Sequence, residues 1–319
     1  MSPSGPALVI DIGGTKLAAG VAEPGGRLIS WAQIPTPGDV DAEQLWRTLD
    51  ALLTRVLETS KIGGPAELAG VGCGVGGPME WPEGVVSPLN ITAWRSFPLR
   101  ARLLERFGGI PVRVHNDAIT MAAGEHWRGA GRGVRNLLGM VVSTGVGGGL
   151  LLDGRLIEGA SGNAGHIGHV VVDPDDGPPC GCGGRGCLEA VARGPALVRW
   201  AQGEGWRPGR PEATAKDLAD DGALGHPIGL AAMDRAGRAL GIAIASATCL
   251  CDLEVVSVGG GLSQAGVLLF KPLEEALRAH ARIGFAREVR VVPAALGQSA
   301  GLIGAAALIF AADRYWTGD

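Results

Sequence analysis

Three times along this chain an apolar run breaks into glycine. "ALVI" leads into "DIGGTK" (Asp11–Lys16), "LLGMVV" into "STGVGGG" (Ser143–Gly149), and "EVVSV" into "GGGLS" (Gly259–Ser263). A short apolar run bounded by glycine reads as a buried strand ending in a turn. Helical patterns lie between these strands. In "DAEQLWRTLDALLTRVLETS" a stripe of Leu45, Leu49, Leu52, Leu53 and Val56 follows Asp41 and Gln44, which have the spacing of a capping box. "PLRARLLERFGG" has Pro98 at its start and Gly108 at its end, "AITMAAGEHWRGAG" follows a third strand "IPVRVHND", and "HPIGLAAMDRAGRALGIAIASATCLCD" is a long apolar helix. Residues 201–225, rich in glycine, proline and charge, read as a surface excursion. Strands alternating with helices imply α/β layers. The strand, turn and strand of the N-terminal segment restart at "NLLGMVVSTGVGGGLLLDGRLI", which implies a second domain on the same plan.

Composition removes several classes. A chain of 319 residues suits two domains, and 46% hydrophobic residues with a net charge of −4 describe a folding chain without a basic nucleic-acid surface. "MSPSGPALVI" lacks the charged and apolar regions of a signal peptide, and the longest apolar stretches fall short of the ~20 residues that span a bilayer. The expectation is a cytoplasmic protein, in which six cysteines are reduced thiols or metal ligands.

Glycines at such turns let backbone N–H groups approach an anion, because no Cβ intervenes. Each turn alone reads better as a plain turn, since the chain uses glycine freely, and none has the spacing of a P-loop or a dinucleotide fingerprint. Three together point to phosphates. Asp11, beside such amides, could hold Mg²⁺ through water. "HND" puts Asp117 at a strand end before a helix, where a carboxylate serves as a proton acceptor or as a helix cap. Cys180, Cys182 and Cys187, with His169 upstream, make a Cys3His set suited to structural zinc, against the alternative of buried thiols. Cys73, Cys249 and Cys251 sit in apolar surroundings and read as core, and Asp173, Asp175 and Asp176 as a solvated loop.

"DIGGTK", "HNDA", "STGVGGG" and "GH…CGCGGRGCLE" follow one another in the order found in the ROK family (repressors, open reading frames and kinases) of the actin-like ATPase superfamily, which the chain resembles over nearly its whole length. The resemblance implies a two-domain, ribonuclease H-like α/β fold with ATP and sugar in the interdomain cleft. It implies a smaller domain of residues 1–117 with the C-terminal helix 301–319, and a larger one of residues 118–300 carrying a zinc loop. ATP would lie on Asp11, Gly13, Gly14, Thr15, Lys16, Thr144, Gly145, Gly259, Gly260 and Gly261, with Mg²⁺. The sugar would meet Gly77, Asn90, Asn116, Asp117, His166, His169 and Glu189, with Asp117 as base. Zinc on His169, Cys180, Cys182 and Cys187 would fix the His169 ring and hold it with Glu189 on the sugar. The family also implies a homodimer or homotetramer.

His166 departs from the family's glucokinases, which carry glutamate in a pattern like "GEIGH". "AGHIGH" is similar instead to its N-acetylmannosamine kinases, and an imidazole N–H can meet the carbonyl of a 2-acetamido group. The expected activity is therefore ATP-dependent phosphorylation of a hexose 6-hydroxyl, N-acetylmannosamine ahead of glucose. The competing class, a sugar-responsive repressor of the same family, would need an N-terminal DNA-binding domain, and the first strand begins at about residue 7. A pure sugar-binding module would not need Asp11 and Asp117 together.

Overall fold

The computed structural model describes residues 5–318. Its elements in chain order begin with β1 (Ala7–Ile12), β2 (Lys16–Ala22), β3 (Leu28–Pro35), α1 (Ala42–Thr59) and β4 (Gly70–Val75). A three-stranded ribbon follows in β5 (Met79–Glu80), β6 (Val85–Val86) and β7 (Phe97–Pro98), then α2 (Leu99–Arg106), β8 (Val112–Asn116) and α3 (Asp117–Arg128). Next come β9 (Leu137–Val142), β10 (Val146–Leu152), β11 (Arg155–Ile157), α4 (Leu188–Ala192), α5 (Gly194–Gly203), α6 (Ala215–Ala223) and α7 (Pro227–Cys251). The chain closes with β12 (Val255–Gly259), α8 (Val267–His280), β13 (Arg290–Pro293), α9 (Ala300–Phe310) and α10 (Ala312–Tyr315).

Two compact units result. The first takes the described residues up to Gly133, Gly149–Ala164, and those from Leu296 on; the second takes Val134–Gly148 and Gly165–Ala295. The first unit is built on a sheet of order β3-β2-β1-β4-β8, with antiparallel β1–β2 and β2–β3 pairs and parallel β1–β4 and β4–β8 pairs. The second sheet, β11-β10-β9-β12-β13, repeats that plan, with β9, β12 and β13 parallel. Two copies of one topology are the physical content of the repeated strand, turn and strand in the sequence.

Local chemistry explains the elements. The Asp41 carboxylate accepts the Gln44 N–H at 2.7 Å and the Gln44 side chain accepts the Asp41 N–H at 3.0 Å, so α1 starts in a full capping box. Its stripe of Leu45, Leu49, Leu52, Leu53 and Val56 is buried, and truncating Leu49 to alanine would cost about 2–5 kcal/mol.

The first unit runs past the expected boundary at residue 117, because α3 packs closely against α9. A Cβ on Gly124 would lie 2.7 Å from the Ala300 carbonyl and 2.9 Å from the Gly304 nitrogen. Only glycine lets the two backbones approach so far, and that contact keeps α3 with the unit that owns α9.

Three local expectations are corrected. Residues 201–225 are not a plain excursion: Trp206 is 1% exposed and its indole N–H donates to Asp221 at 2.8 Å, while Thr214 and Asp217 cap α6. Of the cysteines read as core, Cys73 is buried, but Cys249 is exposed and Cys251 half-buried on the last turn of α7. Gly147, Gly148 and Gly149 belong to β10, so the second glycine turn is confined to Ser143–Gly145.

Candidate active site

In the first unit, parallel register aligns the C-terminal ends of three strands. Asp11 is paired with Gly74 and Ile12 with Val75 between β1 and β4, and Val75 with Asn116 between β4 and β8. Open α/β sheets bind ligands at such ends. The turn after β1 is tight: Gly13 N–H donates to the Lys16 carbonyl at 2.9 Å, and the Thr36 hydroxyl donates to the Gly13 carbonyl at 2.7 Å. A Cβ on Gly14 would lie 2.5 Å from that of Asn90, so the turn and the loop carrying Asn90 touch. Thr36 N–H donates to the Thr15 carbonyl at 3.1 Å. On the other side, a Cβ on Gly77 would lie 3.1 Å from Asn116 Nδ2.

Asn116 and Asp117 divide the start of α3 between them. Asn116 is the N-cap, its Oδ1 accepting the Ala118 N–H at 3.0 Å; Asp117 is the first helical residue, its Oδ1 accepting the same N–H at 2.8 Å. Capping therefore does not require Asp117, and its second oxygen, Oδ2, lies 3.9 Å from where a Gly76 Cβ would be. Burial pushes the Asp117 carboxyl above the usual range, opposed by the Ala118 N–H. Asp11 is raised to about 6, first by burial and then by the Asp117 charge, with Lys16 pulling it down. Two interacting carboxylates with elevated proton affinity at aligned strand ends make this the candidate reactive site.

In the second unit, Ser143 N–H donates to the Gly145 carbonyl at 2.8 Å and closes the turn after β9. Thr144 stands exposed at its tip. Glu189, in the first turn of α4, accepts the Val146 N–H on Oε2 at 3.0 Å, and a Cβ on Gly145 would lie 2.9 Å from that oxygen. The third turn joins the second: Gly260 has φ +90° with its missing Cβ against the Val142 backbone, and a Cβ on Gly261 would lie 3.6 Å from the Ser143 hydroxyl. Gly259 ends β12 just before.

His166 caps and His169 ends a single turn of 3-10 helix, their rings roughly parallel at 19° with centroids 6.4 Å apart. His169 offers Nδ1 to Cys180 Sγ at 3.7 Å, and Cys182 Sγ lies 3.7 Å from Cys187 Sγ. One ligand atom from each of His169, Cys180, Cys182 and Cys187 falls within 4.8 Å of every other. With Zn–S near 2.3 Å and Zn–N near 2.0–2.1 Å, the edges of a zinc tetrahedron come to about 3.6–3.8 Å. The four residues have the donor set and the spacing to hold that ion, and His166 is outside it.

The structure thus gathers Asp11, Gly13–Lys16, Gly77, Asn90, Asn116 and Asp117 in one unit, and Thr144, Gly145, Gly259–Gly261, His166, His169, Glu189 and the cysteines in the other. Sequence reading missed Gly301. A Cβ there would lie 2.6 Å from Asp11 Cγ, and nothing local in "SAGLIG" signals a contact with residue 11. It also missed Val146, whose N–H orients Glu189.

Residues 7–312 match the model of the ROK family, and the chain belongs to that family. Among its relatives, the glucokinase of Halalkalibacterium halodurans is 35% identical over 314 residues, covering 94% of this chain and 93% of the relative. The N-acetylmannosamine kinase of Citrobacter koseri is 33% identical over 306 residues, covering 94% and 97%. Of solved structures, the ROK hexokinase of Thermus thermophilus superposes with a TM-score of 0.82 at 36% identity, over 97% of this chain and 98% of that one. The ROK glucokinase of Streptomyces griseus, in complex with glucose and AMPPNP, gives 0.79 at 34% identity, over 95% and 99%. These neighbours carry the actin-like ATPase fold that the motif order implied. Among the described residues no helix is long and apolar enough to cross a membrane.

Proposed function

We propose that this chain is an ATP-dependent hexokinase that phosphorylates the 6-hydroxyl of glucose. The observation that carries the reading is the Asn116–Asp117 pair: a carboxylate of raised proton affinity, released from the capping role by its neighbour, with Asn116 beside Gly77 and at a strand end aligned with Asp11. Phosphoryl transfer asks little covalent chemistry of a protein; it asks for positioning, charge neutralisation and a proton acceptor. Asp117 accepts the hydroxyl proton as the sugar oxygen bonds to the γ-phosphorus. The bond from that phosphorus to the bridging oxygen breaks, and ADP leaves with its electron pair. Burial makes Asp117 a stronger base than an exposed aspartate, and Asn116 holds the sugar hydroxyls.

Asp11 would hold the Mg²⁺ that accompanies ATP, which neutralises phosphate charge. The glycine turns supply N–H donors to the phosphates, Gly13–Lys16 in one unit and Thr144–Gly145 with Gly259–Gly261 in the other. Zinc on His169, Cys180, Cys182 and Cys187 is a closed structural site. It fixes Nδ1 of His169 and leaves Nε2 to donate to a sugar oxygen. Glu189, with Oε2 on Val146, presents Oε1 to the same sugar.

Greater similarity to proteins named glucokinase supports glucose, and reverses the order expected from His166 alone. N-acetylmannosamine stays as the second reading on one observation, the imidazole at position 166, which offers an N–H donor to an acetamido carbonyl. A coupled ADP-release assay against glucose, N-acetylmannosamine, N-acetylglucosamine, mannose and allose separates them. Glucose should give the highest kcat/KM; no turnover with any hexose and ATP would overturn the kinase reading.

A further inference from the structure

Among the described residues, three arginines of the second unit line one cavity with no carboxylate paired to any of them. Arg27, Arg102, Arg106, Arg210, Arg238 and Arg278 each pair with a carboxylate. Among the described residues, Arg193, Arg199 and Arg235 make no ion pair and no side-chain hydrogen bond, and Arg193 Nε is buried without an acceptor. All three line one cavity of about 330 Å³, together with Trp200, Glu189 and Cys180. They come from three places: the C-cap of α4, the middle of α5, and α7. The Arg235 guanidinium lies 5.6 Å from the Trp200 ring centroid, which holds it by a cation–π contact.

We infer that this cavity binds a phosphate monoester of a small organic molecule, at a site separate from the glycine turns. Charge sets the class. Three arginines line the cavity against one carboxylate, Glu189, one of whose oxygens is already held by Val146 N–H, and a zinc ion on three thiolates brings about one further negative charge to the Cys180 wall, so the lining keeps a net positive charge for an oxyanion. A phosphate monoester near neutral pH is such an anion, with three acceptor oxygens. Size sets the rest. The cavity reaches the lower range of small-molecule sites, about 300–1,000 Å³, and its remaining walls of Ala190, Val191, Ala196 and the Pro178–Pro179 pair suit a non-ionic body beyond the phosphate. Because Glu189 lies in the first turn of α4 and Arg193 caps its end, occupancy would be felt at Glu189.

The test uses zinc-loaded protein saturated with glucose and AMPPNP, so that the nucleotide and sugar positions are filled. Glucose 6-phosphate is titrated by calorimetry into wild type and into the double variant Arg199→Gln, Arg235→Gln, with inorganic phosphate as a second arm. Wild type should take up one equivalent of the ester, at least tenfold more tightly than the variant and more tightly than inorganic phosphate. Folding of the variant is checked by an unchanged Tm and circular-dichroism spectrum. Equal binding by the two proteins, or none up to about 10 mM ester, overturns the site. Inorganic phosphate binding as tightly as the ester overturns the assignment to a monoester. A failed kinase reading would show separately, as absent turnover in the coupled assay, while this titration still reports on the cavity.

Discussion

The carboxylate of Asp11 rests against the start of α9, where Gly301 leaves it room: a Cβ at position 301 would lie 2.6 Å from Asp11 Cγ and 2.7 Å from Oδ2. Asp11 and Gly301 are 290 residues apart in sequence, yet one methyl group on the second would move the first. Gly301→Ala is therefore expected to displace the carboxylate. Overpacking of this kind costs about 1–3 kcal/mol of stability, and kcat should fall at least tenfold while sugar affinity changes little. Urea denaturation and steady-state kinetics on one preparation check it; unaltered kcat would mean that the position of Asp11 is not critical.

Asp11 should also tie stability to pH. Its folded pKa of about 6 lies above an ordinary aspartate value, so between about pH 4 and 6 the folded state binds the extra proton. Stability contributed by this group falls as pH rises through that window, and the full cost is present above about 6. Asp11→Asn removes the cost. Without added Mg²⁺ the variant should be more stable than wild type at pH 7.5, by at most about 3 kcal/mol, and nearly equal to it at pH 4. Its activity should be lost. The same stability difference at both pH values would contradict this origin of the shift.

Zinc should be found at one equivalent per chain without being added during purification. Chelation should lower Tm and weaken sugar affinity about tenfold or more, because the same ligands position His169 and the start of α4. Cys187 is the residue just before α4, so the metal and Glu189 share a short rigid segment. Full activity in zinc-free protein would remove the metal from the site.

His166→Glu is expected to raise kcat/KM for glucose and lower it for N-acetylmannosamine. A carboxylate accepts from a free 2-hydroxyl but cannot donate to an acetyl carbonyl. A lost neutral hydrogen bond costs about 1 kcal/mol and a buried unsatisfied carbonyl up to about 3, so the ratio of the two should shift by one to two orders of magnitude. If both sugars move together, His166 does not discriminate between them. His169→Ala is the control and should harm every sugar.

Much of this site was legible because its chemistry is local. A strand that ends in Asp-Ile-Gly-Gly or Asn-Asp, a capping pair three residues apart, and four residues with the donor set for a metal within nineteen residues all declare themselves in short windows. What escaped depends on packing between distant segments. The Gly124–Gly304 approach that holds α3 in the first unit cannot be read from either glycine's neighbours, and neither can Gly301 against Asp11. Residues 201–225 misled for a related reason: their polar surface hides one Trp206 whose burial organises the segment. Cys249 and Cys251 misled because an apolar helix need not be buried all round, and position on α7 decides which face meets solvent.

The proposed kinase stands or falls on Asp117 as the acceptor of the sugar hydroxyl's proton. Asp117→Asn keeps the shape and the acceptor for Ala118 N–H while removing the base. Single-turnover phosphorylation by the variant should fall at least a hundredfold, within the roughly 10²–10⁴ range of general-base contributions, while the Kd for glucose stays within tenfold of wild type. Turnover within a few-fold of wild type, at unchanged sugar affinity, would contradict the account.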